Sequence, residues 1–382
     1  MKNQIDRLER GVIVLGGHVQ GLGIIRIFGK NKIPTILLDN TRVNIARHSK
    51  YCKEFYLYQN LIDKLIEFGE RGIFKNWLIL PTNDSHVSEL SKNKELLSKH
   101  FIVGIDDWST IEVFYNKKNA YNLAEKLNID FPQTWFPESL TEISRYPIKF
   151  PCIIKPAIMH EFYRITKKKV FVCNNRDELL NNYKKALEVI PPNEVMIQDI
   201  VPGSSENLYS ACFMYNKDKA HVQLISRRKR QHPVNFGNAT TFAETVSKNE
   251  LIEISEKLLK EVQYDGICEV EYKYDKRDGK FKFLEINTRT WKWHSISIKS
   301  DSPFLMSYYN KCYGLEEIIK LEFKDACFKH ILTDIPVSIQ MILMGIFKRS
   351  SCKNIQYGTW DKKDLLPGIF ELLILPYLII KR

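Results

Sequence analysis

This 382-residue sequence has no closely spaced cysteines: its eight stand at Cys52, Cys152, Cys173, Cys212, Cys268, Cys312, Cys327 and Cys352, far apart and never as Cys-x-x-Cys. That spacing argues against a zinc site or a disulfide framework and predicts reduced, partly buried thiols in a cytoplasmic protein. The start, MKNQIDRLERGVIVLGG, lacks the bounded apolar stretch of a signal peptide, so secretion is not expected. The most apolar stretches near the end, Ile335 to Phe347 and Leu365 to Ile380, each fall short of the roughly 20 residues that cross a bilayer. No basic run is interleaved with aromatics, and no zinc-finger spacing or recognition-helix motif occurs. Nucleic acid is therefore excluded as the expected partner, despite a net charge of +12 and a pI near 9.1. Glycine is missing from Ala157 to Thr166 as well.

What remains is a chain with the 44% hydrophobic content of a folded protein and enough length for two or three domains. It opens as β-α-β. Val12 to Leu15 is an apolar strand, the glycines at 16, 17, 21 and 23 form the turn into a helix, and Thr35 to Leu38 is a second strand ending at Asp39. An acid at that distance suits a ribose contact, but the glycines fall as Gly-x-x-x-Gly-x-Gly. A purely structural turn stays open beside a dinucleotide site. Trp77 to Leu80 reads as a further strand, with polar residues at its carboxyl end.

The stretch Gly266-Ile-Cys-Glu-Val-Glu-Tyr272, read with Phe283-Leu-Glu-Ile-Asn-Thr-Arg289, carries the most information. If Arg277 to Gly279 make a three-residue loop, Glu271 lies opposite Glu285, and Asn287 follows on the same face. Two carboxylates paired across strands repel, and an adjacent amide completes an oxygen-donor set suited to Mg²⁺. A two-residue Asp278-Gly279 turn would instead place the carboxylates on opposite faces.

Upstream, Cys152-Ile-Ile-Lys155-Pro156 is a strand closed by a lysine, Val170 to Cys173 pairs with it through a flexible loop, and Val195 to Val201 is another strand. Taken in order, these pieces resemble the ATP-grasp superfamily of carboxylate ligases over roughly Gly11 to Pro303. They look most like the branch of ATP-dependent carboligases that includes the D-aspartate ligases of cell-wall synthesis. The resemblance implies a mixed α/β and α+β fold: a Rossmann-like domain over residues 1–112, an ATP-grasp small subdomain over 113–200 and a large subdomain with the metal hairpin over 201–304; beyond Asp301 it fades, and residues 305–382 read from their apolar runs as a helical tail.

Carried over by position, Lys117 and Lys155 would hold ATP phosphates. Gln198, Asp199, Ile200 and Val201 would form the adenine hinge, and Glu206 would meet the ribose. Glu271, Glu285 and Asn287 would bind Mg²⁺, and Arg289 would face the transferred phosphoryl group. Within the basic segment Ser226 to Pro233, Arg230 is the expected partner of phosphate and acceptor, with a solvated charged loop as the bland reading. Met159 to Tyr163 would cover the nucleotide where the usual glycine-rich loop is missing. His294 could touch the acceptor or be structural. The implied reaction uses ATP and Mg²⁺ to join a small-molecule carboxylate to an amine through an acyl phosphate, on a cell-wall or surface-polysaccharide precursor. An inert nucleotide binder and a nucleotide-dependent oxidoreductase are the alternatives. The expected location is the cytoplasm, with the tail either packed on the body or peripheral at the inner membrane face.

Overall fold

A computed structural model describes residues 10–235, 237 and 239–376; the tail positions Tyr377 to Arg382 lie outside the described residues. The amino-terminal sheet is parallel and runs in the order β3-β2-β1-β4-β5, from β1 (Val12–Leu15), β2 (Thr35–Asp39), β3 (Cys52–Leu57), β4 (Leu78–Leu80) and β5 (Ile102–Val103). Every residue of β1, β2 and β4 is buried, as unbroken apolar runs are when helices cover both faces of a parallel sheet. Helix α1 (Val19–Lys30) follows the glycine turn, where Gly16 adopts a φ of 92°. Asp39 is consumed by that turn: its carboxylate accepts from Gly17 N at 2.7 Å and from Thr41 N at 3.1 Å. The structural alternative therefore accounts for both the glycines and the acid.

Between the amino-terminal sheet and the next lies α2 (Lys117–Lys126), capped by the Asn116 side chain. The second sheet is antiparallel, in the order β6-β9-β7-β8, with β6 (Thr134–Trp135), β7 (Cys152–Pro156), β8 (Phe171–Cys173) and β9 (Val195–Asp199). The expected flexible loop after β7 is instead a helix, α3 (Met159–Thr166). Phe162 anchors it in the core of this layer, and Lys167 ends it in the left-handed region with φ 54°.

The third sheet has seven strands, ordered β14-β13-β10-β11-β12-β15-β16. They are β10 (Leu208–Asn216), β11 (Lys219–His232), β12 (Ala239–Thr245), β13 (Asp265–Asp275), β14 (Lys280–Asn287), β15 (Cys327–Lys329) and β16 (Ile355–Tyr357). The basic segment from Ser226 is thus strand and not loop. The tail is not wholly helical either. It supplies β15 and β16 to the sheet edge as well as α4 (Ile331–Leu343) and α5 (Leu366–Leu373). One expectation about the cysteines is corrected here: Cys327 and Cys352 are disulfide-bonded, while the other six are free. Their separation of 25 residues hid the pair, which the parallel pairing of β15 with β16 draws together.

The hairpin reaches the expected pairing by a different route. Asp275 pairs with Lys280, so the loop has four residues, and Arg277 N and guanidinium both donate to the Asp275 carboxylate and set the turn. Gly279 takes a φ of 72°. A bulge between Glu271 and Tyr272 then shifts the register by one and restores Glu271 opposite Glu285.

Candidate active site

The carboxylate pair sits on the inner face of the hairpin, and cations approach it from three elements. Lys117, the first residue of α2, places Nζ 3.0 Å from Glu285 Oε2. Arg228 on β11 donates to Glu271 Oε2 at 3.0 Å. Asn287 donates through Nδ2 to Glu269 at 3.1 Å and to Glu271 at 3.2 Å, and its Oδ1 accepts from Arg289 at 3.1 Å. Arg289 is held in turn by Asp84, at the start of the helix that follows β4, at 2.7 Å. The Lys117 ammonium, with Lys169 and Lys155 adding, holds the Glu285 carboxyl far below the usual range. Burial opposes the charge on Lys117, yet Glu285 outweighs it and raises its pKa.

Lys155 lies on β7 with Nζ 3.2 Å from the Tyr121 hydroxyl. Burial, with Lys117 adding repulsion, lowers its pKa to about 7. Gln198 donates to the same hydroxyl at 3.1 Å and to Thr134 at 2.7 Å, which fixes the end of β9. Asp199, Ile200 and Val201 continue along the wall of a cavity of about 350 Å³ between the second and third sheets. Asp199 Oδ1 is buried and has no hydrogen-bond partner among the described residues.

A second cavity, of about 470 Å³, lies toward the amino-terminal domain and is lined by Gln20, Asp84, Asn287, Arg289 and Lys292. The two cavities share Lys117, Met159, Lys169, Arg228, Glu271 and Glu285. The charged cluster is therefore the wall between them.

Arg230, expected at the site, is placed elsewhere, Glu206 is engaged by lysines, and His294 takes the structural alternative. Arg230 is buried and makes a two-pronged pair with Asp334 of α4, at 2.8 and 2.9 Å. A bulge at Lys229 is the reason: Arg228 pairs with Ala243 and Arg230 with its neighbour Phe242, so the two arginines leave opposite faces of β11. Glu206 is turned to Lys229 at 2.6 Å and Lys348 at 3.1 Å. His294 is packed against α1, where its ring touches Gln20 O at 3.2 Å and would collide with a Cβ at Gly23.

Sequence reasoning passed over Arg228, Lys169 and Glu269. Glu269 was legible, since Glu-Val-Glu in a strand puts both acids on one face. It accepts from Ser210 Oγ at 2.9 Å and from Asn287, and burial together with Glu271 raises its pKa to about 8.

The donor chemistry fits a hard divalent cation. Glu271, Glu285 and the Asn287 amide are oxygen donors of the kind that hold Mg²⁺ beside a nucleotide, although here Arg228 and Lys117 take the carboxylates and Asn287 Oδ1 faces Arg289. Among the described residues no group of three or more His, Cys, Asp or Glu is placed to hold a metal ion, so the two carboxylates would need the amide beside them.

Residues 117–301 match the family model described as carbamoyl-phosphate synthase L chain, ATP binding domain. The chain is 24% identical over 310 residues to the D-aspartate ligase of Enterococcus faecium, covering 76% of this chain and 73% of that protein. Among solved structures it resembles the ADP complex of N5-carboxyaminoimidazole synthetase from Staphylococcus aureus, with a TM-score of 0.63 and 15% identity over 83% of this chain and 80% of that one. The L-amino acid ligase from Bacillus licheniformis aligns with a TM-score of 0.61 and 12% identity, over 79% and 74% of the two chains. The biotin carboxylase domain of Hydrogenobacter thermophilus 2-oxoglutarate carboxylase, in complex with MgADP, reaches 0.66 at 15% identity, over 81% and 71%. At these identities the structural likeness establishes a shared fold.

Proposed function

We infer, from a chain whose residues 117–301 are an ATP-grasp domain, that this protein is an ATP- and Mg²⁺-dependent ligase joining a carboxylate to an amine, with release of ADP and phosphate. One observation carries the reading: the cluster of Glu271, Glu285, Lys117 and Arg228 divides a nucleotide-sized cavity from a second cavity, lined also by Asn287, that reaches the amino-terminal domain. ATP in the first would present its γ-phosphate at that wall, and a carboxylate in the second would meet it there.

Lys155 and Lys117 would hold the phosphates, Gln198 to Val201 the base, and Glu206 the ribose once released from its lysine partners. Arg289 would neutralise charge on the transferred group, and Arg228 stands where Arg230 was expected. Glu271, Glu285 and Asn287 would hold Mg²⁺, whose positive charge would offset the charge that develops during transfer. The carboxylate attacks the γ-phosphorus and the bond to the ADP oxygen breaks. The amine then attacks the acyl carbon of the acyl phosphate, loses a proton and expels phosphate. No protein nucleophile is needed, because phosphoryl transfer is promoted by positioning and charge neutralisation.

The acceptor we favour is a cell-wall or surface-polysaccharide precursor. The D-aspartate ligase relative supports that setting. The same reading puts the enzyme in the cytoplasm. The test is ADP release on mixing ATP, Mg²⁺ and panels of acids and amines: the wild type should respond to a specific pair, while Glu285→Gln and Asn287→Ala should not. ATP binding without turnover on any pair would favour the inert binder, and turnover by either variant at the wild-type rate would remove the hairpin from the site.

A further inference from the structure

Helices α4 and α5 are built inside out. On α4 the buried positions include a carboxylate, Asp334, while Ile335, Ile339, Ile342 and Leu343 face outward at 52, 54, 59 and 82% exposure. These fall at i, i+4, i+7 and i+8, a single stripe on the helix. On α5 the buried positions include Glu371, and Leu366, Ile369, Leu372 and Leu373 form the outer stripe. His330, which caps α4, touches Glu371 at 2.7 Å and ties the two helices together. Thirteen of the twenty-one exposed large apolar side chains among the described residues lie from Ile335 to Leu373, so the apolar surface is concentrated here.

Charge identifies the occupant. Between residues 331 and 376 the acids are withdrawn: Asp334, Asp364 and Glu371 are buried, and Asp361 is bound by Lys30. The exposed charges are Lys348, Arg349, Lys353, Lys362 and Lys363, all positive. A second copy docking through the same face would bring two such basic groups together, whereas an anionic bilayer satisfies the apolar stripe and the basic rim at once. No described helix is long and apolar enough to cross a membrane, so the contact is one that lies in the interface.

We propose that the outer faces of α4 and α5 form a docking surface for a bilayer rich in anionic lipid. This surface does not depend on the ligase reading, although on that reading it gains a purpose. The inner sides of the same elements, through His330, Thr333, Glu371 and Ile374, wall a third cavity of about 800 Å³ at the carboxyl ends of the parallel strands. That cavity shares Asn83, Ser85 and Lys292 with the reaction cavity. A docked enzyme would hold its acceptor side beside the lipid.

The experiment is flotation of the full chain with phosphatidylglycerol-containing vesicles and with neutral phosphatidylcholine vesicles, at low and raised salt. Wild type should float with the anionic vesicles and be released by salt. Ile339→Asp/Leu343→Asp and Leu366→Asp/Leu373→Asp should each lower the bound fraction by about tenfold or more, and Lys362→Glu/Lys363→Glu should weaken binding to anionic vesicles alone. Unchanged thermal unfolding of the variants shows that the loss is not misfolding. The proposal is overturned if wild type stays in the soluble fraction, if it floats equally with both vesicles, or if light scattering shows a dimer that the Leu366→Asp/Leu373→Asp variant dissociates. Because the readout is lipid binding, failure here leaves the ligase reading standing, and failure of the ligase assay leaves the docking result standing.

Discussion

ATP binding should take up a proton through Lys155. With a folded-state pKa of about 7, against an ordinary value of 10.5, this lysine is largely neutral in the free protein above neutrality. Burial disfavours the ammonium, and Lys117 adds like-charge repulsion. A triphosphate brought within reach reverses that balance and restores the charge. At pH 8 a group with a pKa near 7 is about 10% protonated, so binding would draw in about 0.9 proton from solvent. Between pH 7.5 and 9 the affinity for ATP should fall by nearly tenfold per pH unit, because each unit lowers the protonated fraction of the free protein about tenfold. Below pH 7 the dependence from this group disappears. Titration calorimetry in buffers of different ionisation enthalpy measures the proton count directly, and Lys155→Met should abolish most of it while weakening binding at pH 7. An unchanged proton uptake in Lys155→Met, or an affinity flat from pH 7.5 to 9, would refute the assignment of this lysine to the phosphates.

The two arginines of β11 should separate by assay. Arg230→Met leaves Asp334 buried beside only Lys329 and Thr241, and should cost about 3 kcal/mol in chemical denaturation. Arg228→Met should abolish ADP release with a much smaller loss of stability; the opposite pattern would return Arg230 to the site. Glu269→Ala removes one of the two carboxylates that orient the Asn287 amide and should lower turnover about tenfold to a hundredfold, with a raised Mg²⁺ requirement. A Mg²⁺ dependence identical to wild type would make Glu269 a structural residue alone.

The strands were legible where one signal dominated. The unbroken apolar run at Val12 to Leu15 and the alternation around Glu271 admit few alternatives, and the structure places strands at both. Local register was not legible in the same way. The hairpin was expected to pair Glu271 with Glu285 through a three-residue loop, and it does so through a four-residue loop and a bulge whose effects on register cancel. At β11 the shift is also undone, where Thr241 of β12 is passed over and Gln231 pairs with Thr240, but Arg230 lies between the two irregularities. A single extra residue at Lys229 sends Arg228 into the site and Arg230 out of it, and a run reading Arg-Arg-Lys-Arg contains no sign of which position will bulge.

The tail shows a different limit. The apolar runs at Ile335 to Phe347 and Leu365 to Ile380 read as helices, either packed on the body or facing a membrane, and apolar content alone does not choose which face turns inward. What turns these helices over is pairing across long separations: Asp334 with Arg230, 104 residues away, and Glu371 with His330, 41 residues away. A buried carboxylate is costly unless its partner is already in place, so each helix can present its acid inward only because strand β11 and the start of α4 supply a cation or a donor there. The exposed leucines and isoleucines are then a consequence of that choice. A helix that spends its inner face on a paired acid has its apolar face left for another surface.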